Sequence, residues 1–304
     1  MERCKSERMK TIKQYFPDSD GGDVAQSAID THVHFWKYDK KRDAWITNDM
    51  KTLQQDYLPE HLAINMKRNG VSGCVAVQVD QSELETRFMI ELAKTHPIIK
   101  GVVGWIDLRS PNVEERLAHF SEYNIIKGYR HIVQGEPAGF LLKPDFQRGV
   151  AALKSYNYTY DILIYHYQLR DALEFVSRLS DQKLVIDHCA KPDIKNKTID
   201  DWKSLISQIA KQQNVYCKLS GLFTEAAWKN WSPGDFYPYL DVVFDAFGTD
   251  RLMYGSDWPV MLLSGIYVQW KSLLEKYMEN FREEDKEKVF ALNAIQFYNL
   301  DLSL

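Results

Sequence analysis

Two histidines separated by a single residue, His32 and His34, stand in the stretch AIDTHVHFW, with Asp30 two positions before them. Alternate residues of an extended strand share a face, so Asp30, His32 and His34 are expected to project together. Three further residues of useful chemistry lie far along the chain: Arg130 in GYRHIVQGEP, His188 in LVIDHCAKPDI and Asp257 in RLMYGSDWPV. Imidazole and carboxylate are ordinary zinc ligands, and a catalytic zinc site needs about three protein groups and an open position for water. His32, His34, His188 and Asp257 could supply that set, with His32, His34 and Asp257 the first choice. The same groups could act without metal, the histidines polarising a carbonyl while the carboxylate takes a proton from water. Residue types alone leave both routes open.

Read singly, each of these residues has a plainer explanation. Asp257 would cap a helix, Arg130 would join a structural ion pair, and a lone histidine at a strand end would be a satisfied core residue. What raises them above that reading is their shared position. From Ala28 onward, eight short apolar runs rich in β-branched residues alternate with longer segments of helical period. The runs are AIDTHVHF, VSGCVAVQVD, IIKGVVGWID, IIKGYRHI, YDILIYH, KLVIDH, NVYCKLS and RLMYGSD. Each apolar strand followed by a helix predicts a parallel sheet covered on its outside, and eight such units predict a closed (β/α)₈ barrel of the α/β class. A doubly wound open sheet is the competing arrangement.

Polar residues collect at the C-terminal ends of these runs, which form the substrate-binding mouth of such a barrel. His32, His34, Arg130, His188 and Asp257 are therefore expected to share one pocket. Gln78, Trp105 and His166 end the second, third and fifth runs, while Trp36 and Trp258 directly follow the first and eighth sites. These five are the candidate substrate contacts. No low-complexity tract or linker divides residues 28–304, which predicts one barrel domain, preceded by a polar leader over residues 1–27 that ends in the breaker cluster PDSDGGD. Two long irregular stretches rich in Trp and Tyr, after the first and seventh runs, are expected to wall the mouth.

Other chemistries find no support. There is no G-x-S-x-G elbow around Ser256, no H-E-x-x-H helix, no Walker loop and no G-x-G-x-x-G after a strand. A net charge of -4 gives no electrostatic reason to expect nucleic acid or an anionic membrane as partner. The four cysteines form no C-x-x-C pair, and Cys74, Cys189 and Cys217 sit in or beside apolar strands, where packing is their expected role. Without an apolar leader or a membrane-length apolar run, the expected compartment is the cytoplasm.

Six motifs in order, AIDTHVHFW, GVVGWIDL, GYRHIVQGEP, LVIDHCAKPDI, NVYCKLSGLFTEA and RLMYGSDWPV, resemble the fuconolactonase branch of the amidohydrolase superfamily, from about Ala28 to Leu300. That resemblance implies an amidohydrolase-like TIM barrel that hydrolyses the ester of a sugar-acid lactone of the fucono-, rhamnono- or galactono-lactone class. It implies His32 and His34 as the H-x-H pair, His188 as the sixth-strand histidine, Asp257 as the general base, Arg130 as the fourth-strand arginine and Gln78 as a pocket glutamine. The small-molecule reaction needs either no cofactor or one divalent metal, zinc. One departure stands out in DILIYHYQL, where relatives carry a histidine in place of Tyr167 and His166 lies one position early. A one-residue offset reverses the face a strand presents. Two alternatives remain: a metal-dependent decarboxylase of an aromatic or unsaturated acid, and a sugar-acid-binding barrel without catalysis.

Overall fold

The computed structural model describes residues 27–302, so the expected N-terminal leader falls almost wholly outside the described residues. Eight parallel strands follow one another in sequence order around a single sheet. They are β1 (Ala28–Val33), β2 (Val71–Val77), β3 (Ile99–Gly104), β4 (Ile126–His131), β5 (Thr159–Ile162), β6 (Leu184–Ile186), β7 (Val215–Leu219) and β8 (Leu252–Tyr254). The sheet closes on itself just beyond β8. There Asp257 N–H donates to His32 O at 2.8 Å, and His34 N–H to Trp258 O at 2.7 Å. The predicted (β/α)₈ barrel is therefore the fold, and the open-sheet alternative is excluded.

Helices α1 (Pro59–Arg68), α2 (Glu83–Thr95), α3 (Val113–Phe120), α4 (Pro144–Ala152), α5 (Leu169–Arg178), α6 (Asp200–Ile209), α7 (Tyr237–Phe247) and α8 (Tyr267–Tyr277) run between or after the strands, and α9 (Asn293–Tyr298) closes the chain. Their placement follows from local sequence. In α5, Leu169, Ala172, Phe175 and Val176 recur at helical spacing and are all buried. At the start of α2, the Ser82 hydroxyl accepts from Glu85 N–H, satisfying one of the helix's orphan donors. Along β2 the alternation is clean: Cys74 and Ala76 join the large core between sheet and helices, while Val75 and Val77 point into the barrel. The lower interior is filled by Ile29, Val75, Val77, Val103, Val185 and Met253 against Ala294, Phe297 and Tyr298 of α9. That packing leaves only the opposite, C-terminal end of the barrel free for chemistry.

β1 departs from ideal alternation. Its register against β2 shifts between Asp30 and Val33, a bulge that puts Asp30 opposite Cys74 on the outward side. Asp30 consequently does not join the two histidines as the period-two pattern predicts. Its carboxylate accepts from Ser256 N–H at 2.8 Å and from the Tyr267 hydroxyl of α8 at 2.8 Å, fastening β1 to β8 and the outer layer.

Candidate active site

The ends of β1, β4 and β6 and the segment after β8 converge on a cavity of about 210 Å³ at the barrel mouth. Its polar wall consists of His34, Arg130, Gln134, His188, Lys191 and Asp257, and its apolar wall of Trp45, Val79, Ile132, Leu163 and Val260. Residues from opposite ends of the sequence thus meet: His34 Nε2 lies 3.3 Å from Asp257 Oδ1.

The hydrogen bonds around the histidines fix what each ring presents. His34 Nδ1 lies 2.7 Å from Val77 O, and a carbonyl only accepts, so Nδ1 carries the proton. Nε2 then faces the Asp257 carboxylate. An imidazole nitrogen and a carboxylate side by side at the cavity wall are a seat for a water. His188 Nδ1 is held by Ser220 Oγ at 2.9 Å, and its Nε2 is 3.9 Å from Asp257 Oδ1. His32 lies one layer deeper and is fully buried. Its Nδ1 sits 3.3 Å from Asp187 Oδ1, and its Nε2 accepts from Arg130 Nη1 at 3.1 Å.

Electrostatics sort the protonation states. Burial would raise Asp257, but His188, the hydrogen bond with His34 and the nearby Lys191 outweigh it and hold the carboxyl below its usual value. Asp257 is therefore an anion at neutral pH. Burial pushes His188 down to about 4 and His32 well below its usual value, so both rings are neutral. Burial would likewise raise Asp187, yet Lys218, His32 and Arg130 together keep it well below the usual carboxylate range.

Beneath the cavity lies a closed ionic network among side chains with no solvent exposure. Lys218 Nζ bridges Asp161 Oδ2 at 2.5 Å and Asp187 Oδ1 at 3.1 Å, and Tyr298 donates its hydroxyl to Asp161 Oδ2 at 2.9 Å. Arg130 Nη1 contacts Asp187 Oδ2 at 3.1 Å. Arg130 Nη2 contacts the backbone oxygen of Gln78, and Gln78 Oε1 at 3.1 Å. Charges this deeply buried persist only when paired.

The backbone that delivers these side chains is unusual. His188, Cys189, Ala190 and Lys191 have φ of 55°, 52°, 59° and 48°, a left-handed turn built without glycine. It buries Cys189 and Ala190 and returns His188 and Lys191 to the cavity. Asp257 also has a positive φ, 62°. Room for His188 comes from Gly221 (φ 65°), where a Cβ would stand 2.4 Å from His188 Nδ1.

Of the residues expected from sequence, His34, Arg130, His188 and Asp257 line the cavity, and His32 lies directly below it. The expected substrate contacts do not line it. Gln78 is fully buried and spent on Arg130; Trp36 donates Nε1 to Gln55 O and packs edge-on against Trp45 and Tyr57. Trp105 donates to His131, and Trp258 packs against Phe35 and Tyr57. The fifth-strand departure resolves into a structural role: His166 Nδ1 bonds Lys191 O at 3.0 Å, while the exposed Tyr167 stacks on Tyr165. Trp45, Gln134 and Lys191 were not singled out by sequence, although all three lie in stretches it had marked: Trp45 in the loop after the first run, Gln134 in GYRHIVQGEP and Lys191 in LVIDHCAKPDI.

Among the described residues, the groups able to hold a metal are His32, His188 and Asp257, whose ligand atoms lie within 4.8 Å of one another. Two neutral imidazoles and a carboxylate suit zinc. His188 thus takes the place expected for His34, and Arg130 must release its contact with His32 Nε2 for that ring to ligate. Among the described residues no helix is long and apolar enough to cross a membrane.

Comparison with known proteins agrees with this architecture. The chain is 39% identical over 263 residues to an L-fucono-1,5-lactonase of Burkholderia multivorans, covering 83% of this chain and 88% of that one. It is 27% identical over 234 residues to an L-rhamnono-gamma-lactonase of Scheffersomyces stipitis, covering 67% and 70% respectively. A crystal structure of an amidohydrolase from Burkholderia multivorans with bound zinc superimposes with a TM-score of 0.87 at 37% identity, covering 90% of this chain and 100% of that one. The amidohydrolase family model matches residues 29–300, nearly everything the structure describes, and the chain belongs to the amidohydrolase family.

Proposed function

We propose that this protein is a hydrolase that opens the ester ring of a sugar-acid lactone with water activated by Asp257. The observation that carries the reading is the anionic Asp257 carboxylate beside His34 Nε2 in a cavity sized for one small ring. Water held against this pair loses a proton to Asp257 as its oxygen bonds to the lactone carbonyl carbon. Charge developing on the carbonyl oxygen faces the Arg130 guanidinium and His188, preorganised by Asp187, Gln78 and Ser220. Collapse of the tetrahedral adduct breaks the bond from carbonyl carbon to ring oxygen, and the proton on Asp257 passes to that oxygen. The product is the open hydroxy acid, one water heavier than the lactone.

If a divalent ion is bound, His32, His188 and Asp257 would hold it, and it would supply Lewis acidity to the carbonyl and lower the pKa of water. The names of the two lactonase relatives support the substrate class. Among the described residues Cys74, Cys189 and Cys217 are free thiols, which supports a reducing, cytoplasmic setting. The test is a pH-indicator screen of sugar lactones with metal content measured on the same samples, since ring opening releases an acid from a neutral substrate. Absence of acid release from every fucono-, rhamnono- and galactono-lactone would refute the assignment.

A further inference from the structure

We infer that Gln134 is the specificity-determining residue of this cavity, the group that reads a ring hydroxyl of the lactone. This rests on the lactone-hydrolase reading and extends it to a residue not singled out within its motif, GYRHIVQGEP. Several other polar groups in the cavity are engaged by protein. The terminal nitrogens of Arg130 are taken up by Asp187, Gln78 and His32, with its buried Nε lacking a partner among the described residues; His34 Nδ1 is taken by Val77 O and His188 Nδ1 by Ser220. The expected pocket glutamine, Gln78, has both ends of its amide on Arg130. By contrast, Gln134 Oε1 is buried and has no hydrogen-bond partner among the described residues.

An unsatisfied buried carbonyl oxygen is costly, so Gln134 Oε1 calls for a donor, which water or a ligand hydroxyl can supply. The residue is also held in place. Gln134 N–H donates to Leu163 O at 3.0 Å, and the preceding Val133 is buried, with its carbonyl accepting from Gln168 Nε2 at 3.0 Å. Its neighbours on the β4 and β5 side of the cavity, Ile132 and Leu163, are apolar. The amide therefore joins Arg130 as a polar group on that side, and an amide oxygen asks for an O–H donor. A polyhydroxylated lactone supplies one. A bare lactone or an aromatic ring leaves the oxygen dry and unpaired, which penalises it.

The experiment compares kcat/KM for L-fucono-1,5-lactone and for δ-valerolactone, the same six-membered ring without hydroxyls, in the wild-type protein and in Gln134→Leu. Gln134→Met serves as a second apolar variant of similar length should the leucine protein fail to fold. The wild type is expected to favour the sugar lactone. The variant is expected to lose roughly 10- to 100-fold on the sugar lactone and to stay within about threefold on δ-valerolactone. A variant that keeps the wild-type preference, or that loses equally on both rings, overturns the role of Gln134 and leaves the lactonase reading intact. A wild-type protein that opens no fucono-, rhamnono- or galactono-lactone overturns the lactonase reading, and this inference with it.

Discussion

Replacing Lys218 by methionine tests whether the ionic layer under the cavity is held by its one bridging ammonium. Methionine keeps most of the unbranched stem, so the perturbation is chiefly the loss of charge. Lys218 Nζ touches Asp161 at 2.5 Å and Asp187 at 3.1 Å, and neither carboxylate has any solvent exposure. Breaking a buried pair by removing one partner costs about 3–5 kcal/mol. Asp187 retains Arg130 and His32, whereas Asp161 keeps only the Tyr298 hydroxyl, so the cost falls mainly on Asp161. At roughly 2 °C per kcal/mol for a chain of this length, the unfolding midpoint should drop by about 6–10 °C. The deciding assay is a double-mutant cycle with Asp161→Asn, followed by urea unfolding. An asparagine oxygen still accepts from Tyr298 but carries no charge, so the double variant should recover at least about 2 kcal/mol relative to the sum of the single losses. Additivity within about 0.5 kcal/mol would refute the reasoning.

Asp257→Asn should lower turnover on the best lactone by about 10²- to 10⁴-fold with little change in unfolding midpoint, since asparagine tolerates the φ of 62° at this position. Wild-type turnover in that variant would remove Asp257 from the role of base. Gly221→Ala should crowd His188 off Ser220 and cut kcat at least about tenfold, because the new Cβ would stand 2.4 Å from His188 Nδ1; a crystal structure with His188 unmoved would contradict this. Burial raises Glu85 to about 7 in the folded protein. The folded state then binds the extra proton between about pH 4.5 and 7, stability falls as pH rises through that window, and the cost above it is about 3 kcal/mol. Glu85→Gln, which keeps an acceptor for Val79 N–H, should therefore be the more stable protein at pH 8 and no more stable at pH 4.5 in denaturant titrations.

The barrel was legible because its signals are local and repeated: apolar strands, helical periods such as that of α5, and polar residues at strand ends. Four residues of the cavity were legible for the same reason. What the sequence concealed arises from backbone geometry that no residue type announces. The bulge after Asp30 turns that carboxylate outward, although the period-two pattern of AIDTHVH places it with the histidines. The left-handed turn over His188–Lys191 contains no glycine or asparagine, so nothing in HCAK signals that Lys191 returns to the cavity. β6 stops at Ile186 although the run KLVIDH continues to His188, because the chain must leave the ladder there to make that turn. Gln78 and Gln134 are the same residue type, the one just after β2 and the other just beyond β4, and the position of Arg130 decides which amide is consumed.

The seam that closes the barrel carries a consequence for biosynthesis. Asp30 finds its Ser256 partner 226 residues later in the chain. At ribosomal rates of about 5–20 residues per second, the first strand is made roughly 10–45 s before the segment that completes it. Throughout that interval the nascent chain carries an edge of unpaired backbone amides and carbonyls and an outward aspartate awaiting its donors, the kind of strand that recruits foreign partners. Closure thus waits until the eighth strand has been made, and the yield of soluble enzyme from cells should respond to elongation rate and chaperone supply.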